Sequence, residues 1–231
     1  MQQPPIPFVK DVVLIGGGHS HALVLKAWGM KPVAGARLTL VNPGPTAPYT
    51  GMLPGHIAGH YPREALNIDL IRLARFAGAR IILDRAIGLE MDAKTITLAG
   101  RAPIPYDLVS IDIGITSDMP KLQGFPEHGI AAKPLDKFAD AWERFCVQAT
   151  SPQIAVIGGG IGGVELAMAA AHKMAVLGRD AQVTLLDRGE ILKGLPASVR
   201  RALRQALSEN HVTIRENVGI AAVEANSVLL D

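Results

Sequence analysis

The stretch Ile154–Ala170, IAVIGGGIGGVELAMAA, constrains this chain more than any other. Four apolar residues run into Gly158-Gly159-Gly160-Ile161-Gly162-Gly163, and a small-residue helical pattern follows. Read locally, that is a buried parallel strand, a tight turn and a helix N-terminus in one line. Each glycine then has a physical reason. One permits the turn, one lets backbone N–H groups approach a pyrophosphate, and the last lets the helix pack closely on the strand. The helix N-terminus offers unpaired donors and the positive end of its dipole to those phosphates. A G-x-G-x-x-G pattern alone is a weak signal. Here Val183-Thr184-Leu185-Leu186-Asp187 adds a second strand ending in an acid 24 residues beyond Gly163, where a turn of this kind holds a ribose. The bland alternative is a glycine-rich turn that binds nothing.

The motif has an echo. Val12-Val13-Leu14-Ile15 runs into Gly16-Gly17-Gly18-His19-Ser20-His21 and a helix carrying Leu23, Val24, Ala27 and Trp28, with 142 residues separating Gly16 from Gly158. That spacing is one domain length, so it indicates two dinucleotide-binding beginnings rather than a short repeat. The first copy departs at His21, where a third small residue is expected. Either the helix stands farther from the strand or Ala22 takes the close contact. A second strand, Arg37–Val41, closes on Asn42, which can accept a ribose hydroxyl through its amide oxygen, without charge. Asn42-Pro43-Gly44 as a plain turn fits the same residues.

Between the two copies the pattern continues as α/β. Leu66 to Phe76 predicts an amphipathic helix and Arg80–Leu83 a third strand. Ala86 to Pro105 alternates like a small antiparallel meander, and Tyr106–Gly114 predicts a strand ending in glycine. Pro48-Tyr49-Thr50-Gly51-Met52-Leu53-Pro54-Gly55 is a loop too apolar for a simple surface connection and suits a flat apolar ligand. The fold class expected is α/β, with two tandem Rossmann-like domains, parallel sheets and the meander. The domains run over 1–118 and 151–231, joined by a linker and helix over 119–150. The linker proper is Met119–Pro134, and Leu135–Val147 is the helix. In a later helix, Pro196 to Glu209, Val199, Leu203 and Leu207 form one stripe while Arg200, Arg201 and Arg204 face solvent. Asn226–Asp231 reads as a strand in progress, so the domain is expected to be a C-terminally truncated fragment.

Several function classes drop out. A formal charge of +2 with 4% aromatics in 231 residues gives neither the footprint nor the stacking platforms of a nucleic-acid binder. One cysteine, Cys146, builds no disulfide and no zinc knuckle. It reads as a small buried residue on its helix. His56 and His60, at i, i+4, and His19 with His21 lack a third ligand, so no metal is expected. Without an export signal or an apolar stretch of roughly 20 residues, a cytoplasmic location and no transmembrane segment are expected.

The two turns, the loop Pro48–Gly55, the strand ending at Gly114 and the signature GGGIGGVELA resemble the two-dinucleotide-binding-domain flavoproteins, the pyridine nucleotide-disulfide oxidoreductase superfamily. Within it, GGGHSHALVL and PYTGMLPGHIAGHY resemble the NADH dehydrogenase-like branch, and are similar to the flavoprotein module fused to selenide, water dikinase. The resemblance implies FAD on the first domain, with Gly16, Gly18 and Ser20 at its pyrophosphate, flanked by His19 and His21. Asn42 would lie near the adenosine ribose, Ala86 near the adenine, Thr50, Gly51 and Met52 near the isoalloxazine, and Gly114 at the strand end beside it. It implies NAD(P)H on the second, held by Gly158, Gly160, Ile161, Gly162 and Gly163, with Asp187 at the ribose. Asp187 favours NADH because it repels a 2′-phosphate, although Arg188 beside it could welcome one. Glu165 would lie toward the nicotinamide as the catalytic-site residue; an ordinary first-turn acid on a helix dipole explains it equally. The implied reaction is hydride transfer from NAD(P)H to flavin and on to a quinone or small-molecule acceptor. Pro43 to Gly55 holds no cysteine pair, so electrons are not expected to leave through a protein disulfide. A homodimer and a fused C-terminal domain are further associations the resemblance admits. The competing function is a non-catalytic nucleotide-binding or sensor module of a larger protein.

Overall fold

The computed structural model describes residue 7 and residues 9–114 and 122–231. The start of the expected linker, Met119–Lys121, lies outside them. Within the described residues the chain forms two compact units, 9–49 with 67–114 and 50–66 with 122–231.

In the first unit β1 (Lys10–Ile15) leads through the Gly16 turn into α1 (His19–Met30), and β2 (Ala36–Asn42) follows. β3 (Thr46–Pro48) is short. After α2 (Leu53–Ala58), which belongs to the other unit, the chain returns as β4 (Asn67–Asp69), α3 (Leu70–Ala77) and β5 (Arg80–Leu83). The meander is β6 (Ala86–Glu90), β7 (Thr95–Leu98) and β8 (Ile104–Pro105), and β9 (Leu108–Ile111) closes the unit. Its main sheet is parallel with strand order β5-β2-β1-β9, so β1 is central. Alternation along β1 then decides the layers. Val13 and Ile15 pack with Ile96, Leu98 and Tyr106 of the meander side, while Leu14 packs with Leu25 of α1 and Leu70 and Ala77 of α3. Full burial of Leu14, Leu25 and Leu40 contributes roughly 1.5–3 kcal/mol each.

The helix expected from Leu66 starts later. Asp69 caps α3 by accepting from the Arg72 N–H at 2.9 Å, and Asn67–Asp69 pairs antiparallel with Thr46–Pro48 instead. Of the strand expected over Tyr106–Gly114, Leu108–Ile111 is extended in the sheet, and the Asp107 and Asp112 N–H groups at its two ends donate to Asp11 and Ile15 of β1.

The second unit contains α2, α4 (Phe125–His128) and α5 (Leu135–Gln148), then β10 (Gln153–Ile157), α6 (Ile161–Val176), β11 (Gln182–Leu186), α7 (Ala197–Glu209) and β12 (Val212–Arg215). A hairpin of β13 (Ile220–Val223) and β14 (Val228–Leu230) ends it. The sheet β10-β11-β12 is parallel. α6 is covered on two sides, which explains its run of alanines. Val164 and Ala167 pack with Val183, Leu185 and Leu207, whereas Ala169, Ala170 and Met174 pack with α2 and α5. The Trp142 indole N–H on α5 donates to the Ile57 carbonyl near the end of α2 at 3.2 Å.

The arginines of α7 are more than a solvated face. Arg200 reaches Glu190 at 3.2 Å and Arg204 pairs with Glu216, while Val199 of the expected apolar stripe is 41% exposed. Among the described residues no helix is long and apolar enough to cross a membrane.

Candidate dinucleotide-binding turns

The second turn is built by β10, α6 and β11. Gly158 has φ +111°, a conformation only glycine adopts without strain, and its N–H donates to the Leu186 carbonyl at 2.8 Å. A Cβ on Gly163 would meet the Gly158 carbonyl oxygen, and one on Gly159 would meet Ile191. Those glycines serve the protein's own packing. Gly160 and Gly162 do not: a Cβ at either position has nothing within 4 Å. They leave open space at the N-terminus of α6, and among the described residues the N–H groups of Ile161, Gly162 and Gly163 have no protein acceptor. An empty cradle with free donors fits a pyrophosphate. Asp187 lies at the end of β11, one oxygen accepting from the Gly159 N–H at 2.6 Å and the other from the Gly189 N–H at 2.7 Å. Its lone pairs beyond these two bonds remain for a ribose hydroxyl. Arg188 beside it is exposed.

The loop over Gly159 is held by Glu216, which accepts from the Ile191 N–H at 2.6 Å and from Arg204. Burial pushes the Glu216 carboxyl up, but the Arg204 and Ile191 hydrogen bonds outweigh it and hold the group below the usual carboxylate range.

In the same unit lies a cavity of about 350 Å³ lined by Thr50, Gly51, Lys133, Gly162, Glu165 and Leu166, among others. The expected apolar loop and the second turn therefore share one pocket. The loop is not irregular throughout. Thr50–Met52 is a single 3-10 turn and α2 begins at Leu53, with Pro54 in its first turn and Gly59, φ +86°, at its end. Met52 packs toward the α2–α5–α6 core, so only Thr50 and Gly51 of that trio face the cavity. Lys133 was missed by sequence reasoning; its sole signal was a cation just before the α5 start. His56 is buried, its Nδ1 3.1 Å from the Tyr61 carbonyl and its Nε2 3.4 Å from Glu143. His60 faces His172 instead. Among the described residues no group of three side chains could hold a metal. Cys146 is half-buried on α5, and burial pushes its thiol up, away from the reactive thiolate.

The first turn has the same skeleton with other contents. Gly16 has φ +89°, and its N–H donates to the Val41 carbonyl at 2.8 Å, matching Gly158 and Leu186. Asn42 occupies the place of Asp187, its amide oxygen accepting from the Gly17 N–H at 2.9 Å while its NH₂ donates to the Gly44 carbonyl. His21 resolves the missing third glycine in a way neither expectation named. Its imidazole is 2% exposed, with Nδ1 2.6 Å from the Gly16 carbonyl and Nε2 2.9 Å from the Ser110 hydroxyl. A carbonyl only accepts, so Nδ1 carries a proton, and in the neutral ring Ser110 donates to Nε2. His19 is exposed and its ring stacks on Tyr49, centroids 5.0 Å apart. Ser20 and Gly114 are exposed, and Ala86 is half-buried at the start of β6.

The fit to a second pyrophosphate is closer to closed. A Cβ on Gly16 would meet the backbone oxygen of Asp112, and one on Gly18 would meet the Asp112 carboxylate. That carboxylate accepts from the His21 N–H at 3.0 Å, and the Asp112 carbonyl accepts from the Gly18 N–H at 3.3 Å. Among the described residues His19 and Ser20 keep free N–H groups at this turn.

Two glycine turns, each between a parallel strand and a helix and each sealed by a side chain from the next strand, define a protein with tandem dinucleotide-binding folds. The profile of the pyridine nucleotide-disulphide oxidoreductase family matches residues 10–231, and the chain belongs to that family. It is 23% identical over 226 residues to the NADH dehydrogenase-like protein YutJ of Bacillus subtilis, covering 95% of this chain and 61% of YutJ. It is 26% identical over 136 residues to the demethylphylloquinone reductase NdbB of Synechocystis, covering 57% of this chain and 33% of NdbB. The fold superposes on NDH2 of Plasmodium falciparum in complex with NADH with a TM-score of 0.77 at 15% identity, over 95% of this chain and 50% of that one. The chain thus spans about three-fifths of YutJ and less of the others.

Proposed function

We propose that this chain is the dinucleotide-handling part of an NAD(P)H-dependent flavoprotein oxidoreductase whose electrons pass to a quinone or small molecule. The observation that carries the reading is the second turn: glycines at 160 and 162 that the fold itself does not use, free N–H donors, and a strand-end acid. Bound NAD(P)H supplies a hydride and FAD accepts it. The chain's residues hold and orient. Gly160, Ile161, Gly162 and Gly163 present backbone donors to the phosphates, Asp187 takes the ribose, and its charge favours NADH over NADPH. Glu165 and Lys133, lining one pocket with Thr50 and Gly51, orient the nicotinamide end and limit water there. His19 and Ser20, whose N–H groups are free among the described residues, hold the FAD pyrophosphate over the turn that Gly16 makes possible, with Asn42 toward its ribose and Ala86 toward its adenine. The likeness to NdbB supports a quinone among the acceptors. The single cysteine leaves no intrachain dithiol to carry electrons onward.

Purified protein is expected to take up FAD and to lose its flavin absorbance anaerobically on addition of NADH. A protein that takes up no FAD on titration would falsify this reading. A second reading, a nucleotide-binding module without turnover, is favoured by the crowding of the first turn by Asp112. Bound flavin that NADH leaves oxidised would select it.

A further inference from the structure

We infer that Asp112 is an internal anion that occupies the first glycine turn and sets the affinity of that turn for its dinucleotide. The inference rests on the reading of the first turn as the FAD site. Its basis is a position-by-position difference between two homologous turns. Gly163 and His21 stand at the same place, third in each motif; the Gly163 N–H is free, whereas the His21 N–H is bound to the Asp112 carboxylate at 3.0 Å. Gly160 and Gly18 cap the two helices with nearly the same extended backbone, φ −69° and −61°. Open space adjoins Gly160, but the Asp112 carboxylate fills the place of the absent Cβ at Gly18. A carboxylate at a helix N-terminus uses the donors and the dipole that a pyrophosphate uses. The two anions compete for one set of N–H groups, and like charges a few ångströms apart repel. For a dinucleotide to gain the His21 donor, the Asp112 side chain must release it. The first turn is thereby a weaker, more exchangeable site than its glycine pattern alone implies.

The alternative role for Asp112 is a plain structural cap on α1, and the substitutions separate the two. Asn at 112 keeps an oxygen for the His21 N–H and removes the charge. FAD affinity is read by quenching of flavin fluorescence and NADH affinity by calorimetry, on the protein and on D112N and D112A. D112N is expected to bind FAD about tenfold tighter, with the gain shrinking as salt screens the repulsion, and with NADH affinity unchanged. D112A is expected to lower the melting temperature of the FAD-free protein, since the cap is lost, yet to bind FAD tighter than wild type. FAD bound by D112N as weakly as by wild type, or more weakly, overturns the inference and leaves the FAD reading standing. Uptake of FAD by none of the three while NADH still binds overturns both.

Discussion

The two glycine turns share a backbone and differ in who uses it. At the second, β11 contributes Asp187, and the space over Gly160 and Gly162 stays open. At the first, β2 contributes Asn42, His21 fills the place of the third glycine, and the Asp112 carboxylate fills the space beside Gly18. A glycine motif reports that backbone comes close to something. The neighbours decide whether that something is a ligand or the protein itself. By that measure Gly158, Gly159 and Gly163 are structural glycines, whereas the fold itself makes no use of the space at Gly160 and Gly162.

That division can be broken with two substitutions on adjacent residues, and the effect is the largest expected anywhere in the chain. Gly163→Val drives a branched side chain against the Gly158 carbonyl, so α6 must lift from β10. Overpacking of this kind costs about 1–3 kcal/mol or more, and NADH binding should fall by over about a hundredfold. Gly162→Ala meets no atom within 4 Å. It should leave stability unchanged or raise it by up to about 1 kcal/mol, as Ala replaces Gly in a helix, while still weakening NADH through lost access to the donors. Urea unfolding and calorimetric NADH titration read both quantities. Equal loss of stability in the two variants would refute the division.

The first turn offers the converse test. His21→Ala removes the ring that satisfies the Gly16 carbonyl and the Ser110 hydroxyl, leaving a buried carbonyl and a half-buried hydroxyl unpaired beside a cavity. The expected cost is about 3 kcal/mol in urea unfolding. A cost under about 1 kcal/mol would mean that helix and strand close the gap as they do at Gly163.

The contrast also shows what a sequence exposes. The second turn was legible because backbone approach demands glycine whatever surrounds it, and spacing then fixes strand, helix and acid. The helix α2 was legible too in principle, since Pro54 near its start and Gly59 at its end are local signals, but the apolar run Pro48–Gly55 with Gly55 inside it reads as a loop. The α3 start at Asp69 hides inside a periodicity that runs unbroken from Leu66; only the capping bond separates strand from helix there. The β13–β14 hairpin is local, but the pairing of Gln123 with Ala222 joins residues about a hundred apart in the chain. Asp112 and Lys133 were invisible as site residues for the same reason. Nothing near them in the chain states that β9 ends over Gly18 or that residue 133 shares a cavity with Glu165.

Exchanging the sealing residue sharpens the comparison with a moderate effect. Asp187→Asn copies Asn42 into the second turn, keeping an acceptor for the Gly159 N–H and removing the charge. NADH should weaken about tenfold, as a charge-assisted bond to the ribose becomes neutral, and the NADH to NADPH affinity ratio should fall because the 2′-phosphate is no longer repelled. Parallel titrations with both nucleotides measure it. An unchanged ratio would remove Asp187 from the ribose.

The smallest effect concerns acid. The loop over Gly159 depends on the ionised Glu216, whereas Asn42 at the first turn does not titrate in this range. Burial pushes the Glu216 carboxyl up, but hydrogen bonds from Arg204 and the Ile191 N–H overcome it and hold the group below its unfolded value. A depressed folded pKa means that the ionised group stabilises the fold fully above the unfolded value, and that this contribution disappears as pH falls through the folded one. In Glu216→Gln the amide oxygen still accepts from Ile191, but the charge pairing with Arg204 is gone. The variant should therefore melt below wild type at pH 7, and the gap should narrow as pH falls below about 4, measured by thermal unfolding across that range. A gap that stays constant with pH would show that Glu216 holds the loop by packing rather than by charge, and would erase this difference between the two turns.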